Sequence, residues 1–114
     1  MHELSLARDL AAVVERTLGP RETRVLRVEM GIGSAAGVAL DSLRFAFELV
    51  VQGTRLEGAE LSFITIAARS RCGSCGEIFV FEDMIGHCPR CGRLGGELLS
   101  GDEMVLRAIE VTDV

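Results

Sequence analysis

The chain has 114 residues, of which 48% are hydrophobic and 25% charged, enough to build one small core. It has no run of about eighteen apolar residues, the length a membrane helix needs, and its acidic, amphipathic start does not read as a signal or transit peptide. The net charge is −5, all the cationic side chains are arginine, and Trp and Tyr are absent, so a basic or aromatic nucleic-acid platform is disfavoured.

In chain order, residues 3–18 read as a helix. Leu4, Ala7, Ala11, Val14 and Leu18 recur at helical spacing, with Arg8, Asp9, Glu15 and Arg16 on the other side. Gly19-Pro20 stops it. Residues 23–32 read as a strand, with Leu26, Val28, Met30 and Ile32 alternating against Arg27 and Glu29. GIGSAAG (31–37) reads as a flexible connection. Its spacing is GxGxxxG, and no second βαβ unit follows, so a dinucleotide fingerprint is not supported. Residues from about 41 to 52 read as a second helix with a stripe of Leu43, Ala46, Phe47 and Val50. QGTRLEGAE (52–60) is a polar loop, and strands follow at about 59–67 and 103–111.

The order is helix, strand, helix, strand, insertion, strand. Two helices covering one face of a small three-stranded sheet make an α+β layer. The expected domains are a helix–sheet module, 1–68 plus 97–114, and an inserted module at 69–96.

That insertion carries two knuckles, CGSCG and CPRCG. Cys72 and Cys75 make one CxxC pair, Cys88 and Cys91 the other, twelve residues apart. Two CxxC loops, each followed by glycine, can direct four thiolates to one tetrahedral Zn(II) at about 2.3 Å. Four thiolates close the coordination sphere, so the zinc is structural and the module needs it to fold. A redox dithiol is the alternative, but it wants a single CxxC at the end of a βαβ strand. His87, beside Cys88, is either an exposed ribbon residue or an auxiliary ligand. EIFVF, between the knuckles, reads as a hairpin strand. Without an export signal, the cysteines point to a reducing, cytoplasmic setting.

The chain starts MHEL. A histidine at position 2 lets the Met1 amine, the His2 amide and the His2 imidazole chelate together, a donor set that favours Ni(II) or Cu(II) over Zn(II). The bulky second residue protects Met1 from removal. Glu3 can add a donor. Equally, His2 can be an ordinary solvated terminal residue.

MHELSLARDL, VLRVEMGIGSAAGV, LRFAFELVVQGTRLEGAEL and the CGSCG…CPRCG ribbon, in that order, resemble the HypA/HybF family of hydrogenase maturation proteins. The likeness covers nearly the whole chain. It implies a nickel metallochaperone and no enzyme: nickel at Met1, His2 and Glu3, and structural zinc at Cys72, Cys75, Cys88 and Cys91. It also implies partners: a nickel-handling GTPase, the large subunit of [NiFe]-hydrogenase, and, in some organisms, urease accessory proteins. Asp41 has two readings, N-cap of the second helix or an oxygen ligand or partner contact near the nickel. Two other classes compete. One is a zinc-ribbon nucleic-acid module using Arg69, Arg71, Arg90 and Arg93; the other is a protein adaptor whose N-terminus is incidental.

Overall fold

The computed structural model describes residues 2–82 and 86–114. Its elements run α1 (His2–Leu18), β1 (Thr23–Gly33), α2 (Leu40–Val50), β2 (Glu60–Ile66), β3 (Ala68–Arg71), β4 (Ile78–Phe81), β5 (Glu97–Ser100) and β6 (Met104–Asp113). The fold is α+β, with one three-stranded sheet ordered β2–β1–β6 and a second ordered β4–β3–β5. The chain divides into two compact units. One holds residues 1–30, 38–63 and 106–114, the other residues 31–37 and 64–105.

In the first unit, α1 and α2 pack on each other. α1 buries Ala7, Leu10, Val14 and Leu18; α2 buries Leu43, Ala46 and Phe47. Leu10 takes the inner place that the sequence gives to Ala11, and Leu4 and Val50 are only half-buried. Val25, Val28, Met30 and Leu61 supply the buried strand residues. β1 does not keep one alternation. Val25 is buried and Leu26 is 46% exposed, yet Val28 and Met30 are buried again. On a strict period of two, 25 and 28 lie on opposite faces, so burial along β1 is not confined to one face. That corrects Leu26 as a core residue.

The loop at 51–59 is more than polar. Leu56 is 1% exposed. Arg55 forms a clamp, donating to Glu15 Oε1 at 2.6 Å and to the carbonyls of Arg21 (2.6 Å) and Gly19 (2.7 Å). The last carbonyls of a helix lack intrahelical donors, and the clamp serves the chain just where α1 ends.

The connection at 31–37 is not a flexible run. Gly31–Gly33 belong to β1, and only 34–36 turn. Ser34 N–H donates to the Ile66 carbonyl at 2.9 Å, Ala35 N–H to Gly101 O at 2.7 Å, and Ser34 Oγ accepts from Ala68 N–H at 3.0 Å. A Cβ on Gly33 would collide with the Gly101 carbonyl, so this glycine is needed for close approach and not for an unusual φ.

β3 and β5 are not evident from the sequence. β3 pairs antiparallel with β4 (Ala68↔Phe81, Arg71↔Ile78) and with β5 (Arg69↔Ser100, Arg71↔Glu97). Phe79 packs with Cys72 and Cys88 in a small core joined by Phe81.

Candidate metal centre

Both knuckles use one local design. Cys72 N–H donates to Glu77 O at 2.8 Å, and Gly76 N–H to Cys72 O at 3.0 Å. In the second knuckle Cys88 N–H donates to Arg93 O at 3.0 Å, and Gly92 N–H to Cys88 O at 2.8 Å. Gly76 and Gly92 take φ of 77° and 78°, the left-handed region where a Cβ is costly. Each CxxCG thus folds back on itself through nearest neighbours and aims its two sulfurs the same way.

The four sulfurs lie within 4.8 Å of one another, with Cys72–Cys91 and Cys75–Cys88 each at 3.5 Å. Tetrahedral bonds of about 2.3 Å would set sulfurs about 3.8 Å apart, so the cluster suits one cation of that kind. Cys72 and Cys88 are buried, Cys75 and Cys91 exposed. N–H bonds from Cys75 and Ser74 bring the Cys72 thiol down to about 6. The Glu77 N–H favours the Cys75 thiolate, but burial and the neighbouring sulfurs outweigh it and push Cys75 up to about 11. Burial opposes ionisation of Cys88, yet N–H bonds from Cys91 and Arg90 bring it down. The Arg93 N–H favours the Cys91 thiolate, while the Cys72 sulfur and burial carry it up. Four sulfurs this close cannot all ionise beside one another without a cation. His87 is exposed and forms an isolated bridge with Leu94; it is not among the clustered ligands.

The arginines near the ribbon are partly committed. Arg71 meets Glu97 at 3.4 Å, and Arg93 donates to Ser74 Oγ at 2.8 Å.

Residues 1–111 match the family model described as HypA, a hydrogenase/urease nickel incorporation metallochaperone. The chain belongs to the HypA family. The hydrogenase maturation factor HypA of Cereibacter sphaeroides is 42% identical over 116 residues, covering 97% of this chain and 99% of that protein. The factor of the same name from Geobacter metallireducens is 37% identical, covering 97% and 99%. The solution structure of the Ni metallochaperone HypA from Helicobacter pylori shares the fold at a TM-score of 0.67 and 22% identity, over 98% of each chain. HypA is a metallochaperone family and not a catalytic one.

Met1 lies outside the described residues. His2 is exposed at the start of α1. The first N–H groups of a helix have no intrahelical acceptor, so the His2 and Glu3 amides begin the helix free of its ladder. Glu3 is half-buried, and its Oε2 accepts the Ala39 N–H at 3.4 Å. Ala39 is the N-cap of α2, and no side chain caps it. Asp41 is therefore not the N-cap. It stands in the first helical turn, fully exposed, 3.7 Å from Arg44, where a carboxylate favours the helix dipole. Among the described residues only the four cysteines gather as a cluster of metal-ligating side chains; His2, Glu3 and Asp41 do not. No helix is long and apolar enough to cross a membrane.

Proposed function

We propose that this chain carries Ni(II) on its N-terminus and passes it on, while the cysteine cluster holds a structural Zn(II). The observation that carries the reading is the contrast in donors. The cysteines make a closed four-sulfur site, which leaves no position for a cargo metal. His2 is exposed at a helix start whose first amides are free of the ladder. The proposed nickel donors are the Met1 amine, the His2 amide and imidazole, and Glu3, with Asp41 as a further oxygen. Glu3 and Asp41 enter by different routes: Glu3 is turned onto the start of α2, and Asp41 is fully exposed there.

Zinc would be held by Cys72, Cys75, Cys88 and Cys91 and would supply cross-linking of the two knuckles. The chain's own part in delivery is exposure: donors on a terminus exchange one at a time, and a partner can supply replacements. The recipients fitting the family description are [NiFe]-hydrogenase, through its large subunit, and urease with its accessory proteins. A GTPase partner and a cytoplasmic setting complete the reading.

Calorimetry with Ni(II) on untagged, zinc-loaded protein tests it. His2→Ala, or a few residues added before Met1, should each weaken nickel binding roughly tenfold or more, with zinc content unchanged. Wild-type affinity in both variants would remove the terminus as the nickel site.

A further inference from the structure

β6 lies at the edge of the sheet ordered β2–β1–β6. One row of N–H and C=O groups on an edge strand has no ladder partner, and such edges are commonly blunted by proline, lysine or a covering element. β6 reads MVLRAIEVTD, with no proline and with charges only at Arg107, Glu110 and Asp113, and at ten residues it exceeds the usual strand of about five or six.

Beside it runs a groove of about 470 Å³. Leu18, at the end of α1, and Arg21, just after it, form one wall. Leu106, Arg107, Ala108 and Ile109 of β6 form the other. Strand side chains alternate between faces. An unbroken run of four lining residues therefore means that the groove follows the strand's backbone and not one pleat face. A helix end beside an open strand edge is the shape that captures an extended segment as an added strand.

The charge of the groove narrows the occupant. Its lining holds two arginines and no carboxylate, in a chain whose net charge is −5. Arg107 is only loosely engaged, with Nε 3.9 Å from Glu29 Oε2. Arg55 anchors the carbonyl of Arg21 at 2.6 Å, which fixes the backbone that presents the Arg21 side chain. Leu18 is buried and Leu106 and Ile109 are half-buried, so aliphatic surface lies between the charges.

A second copy of β6 suits this edge poorly. Across a two-fold axis, residues of like parity face one another. In registers centred on the strand Arg107 would meet Arg107, Ile109 or Val111, never Glu110, and only a register shifted to the strand's end brings it to Asp113.

We propose that the groove between the end of α1 and β6 binds an extended acidic segment of a partner protein, which joins the sheet as a strand beside β6. About five or six residues, aliphatic alternating with acidic, would span it.

The test uses the full chain with its metal bound. The probe is a blocked, fluorescein-labelled hexapeptide alternating valine with glutamate. Two controls accompany it, one with lysine in place of glutamate and one N-methylated on alternate amides. Anisotropy reads affinity, and amide shifts report residues 106–111. The glutamate peptide should saturate with shifts along β6, and both controls should bind about tenfold or more weakly. Arg21→Glu, or Arg107→Glu should the first fail to fold, should cost the glutamate peptide about three- to fivefold and favour the lysine peptide. Four outcomes overturn the proposal: equal binding of the glutamate and lysine peptides, no saturation by about 1 mM, shifts elsewhere, or β6 shifts that follow protein concentration and mark a second copy on the edge. Nickel plays no part in the readout, so the result stands apart from the cargo reading.

Discussion

The cysteine cluster and the start of α1 differ in what holds their donors. Each knuckle fixes its sulfurs by hydrogen bonds within its own few residues, and Phe79 packs behind Cys72 and Cys88. At the other region His2 is exposed, and the contact from its neighbour is a single long bond, Glu3 to Ala39 at 3.4 Å. Donors that are pre-set and partly buried hold a metal as part of the fold. Donors on an exposed helix start are free to change partners. Under the proposed function the two kinds of donor fall on different stretches of chain.

The largest effect should come from breaking the closed site. Cys88→Ser removes a buried thiol of the cluster and should take an expected one zinc per chain to near zero. Amide spectra should then show the ribbon strands β3–β5 disordered and α1 and α2 intact, because the helices have their own buried residues. Retained metal with an ordered ribbon would show that the four sulfurs do not act together.

Acid should act on the same site with a defined sign. Cys75 is raised to about 11, so at neutral pH it must release a proton when a cation binds, and affinity should climb with pH. Cys72 lies below its ordinary value, at about 6, and keeps its thiolate through neutrality. Below about 6 it too is protonated, and the fall should steepen. If the two thiols did not differ, competition with a chelator across pH would show one slope with no break near pH 6.

Next in size is the Arg55 clamp, which stabilises the first unit without any metal. Arg55→Ala leaves two carbonyls and Glu15 without their donor and should cost about 1–3 kcal/mol, read as a lowered Tm with zinc content unchanged. The smallest effect sharpens the contrast from the other side. His2→Ala should change thermal stability by less than about 0.5 kcal/mol, since an exposed terminal side chain supports no core. A large loss there would mean that the histidine is structural.

Much of this was legible because its signals are local. CxxCG places its ligands and its turn glycine within five residues, and Ala7, Val14, Leu43 and Phe47 follow helical spacing in strongly amphipathic segments. β3 escaped because ARSR buries only a small residue and a hydroxyl, Ala68 and Ser70, and exposes Arg69 and Arg71, so no apolar alternation marks it. Asp41 has the chemistry of an N-cap but sits two residues inside the boundary, and the group meeting the Ala39 amide comes from Glu3, far away in sequence. Arg55 reads as one more charge in a loop because its three partners lie 34 to 40 residues earlier. The groove beside β6 left no trace in the sequence, since its two walls come from opposite ends of the chain.

The close approach of Gly33 to Gly101 bears on the order in which the chain can fold. The turn after Gly33 donates to Ile66 and Gly101, and Ser34 takes the amide of Ala68, so segments far apart in sequence must meet before that crossing is complete. Closing such loops costs entropy before any contact rewards it. The knuckles can form early and locally, but the base of their unit has to wait for residues 31–37. A fragment cut at residues 64–105 would carry every cysteine and still leave the Ala68 amide and the Gly101 carbonyl without the partners that β1 delivers.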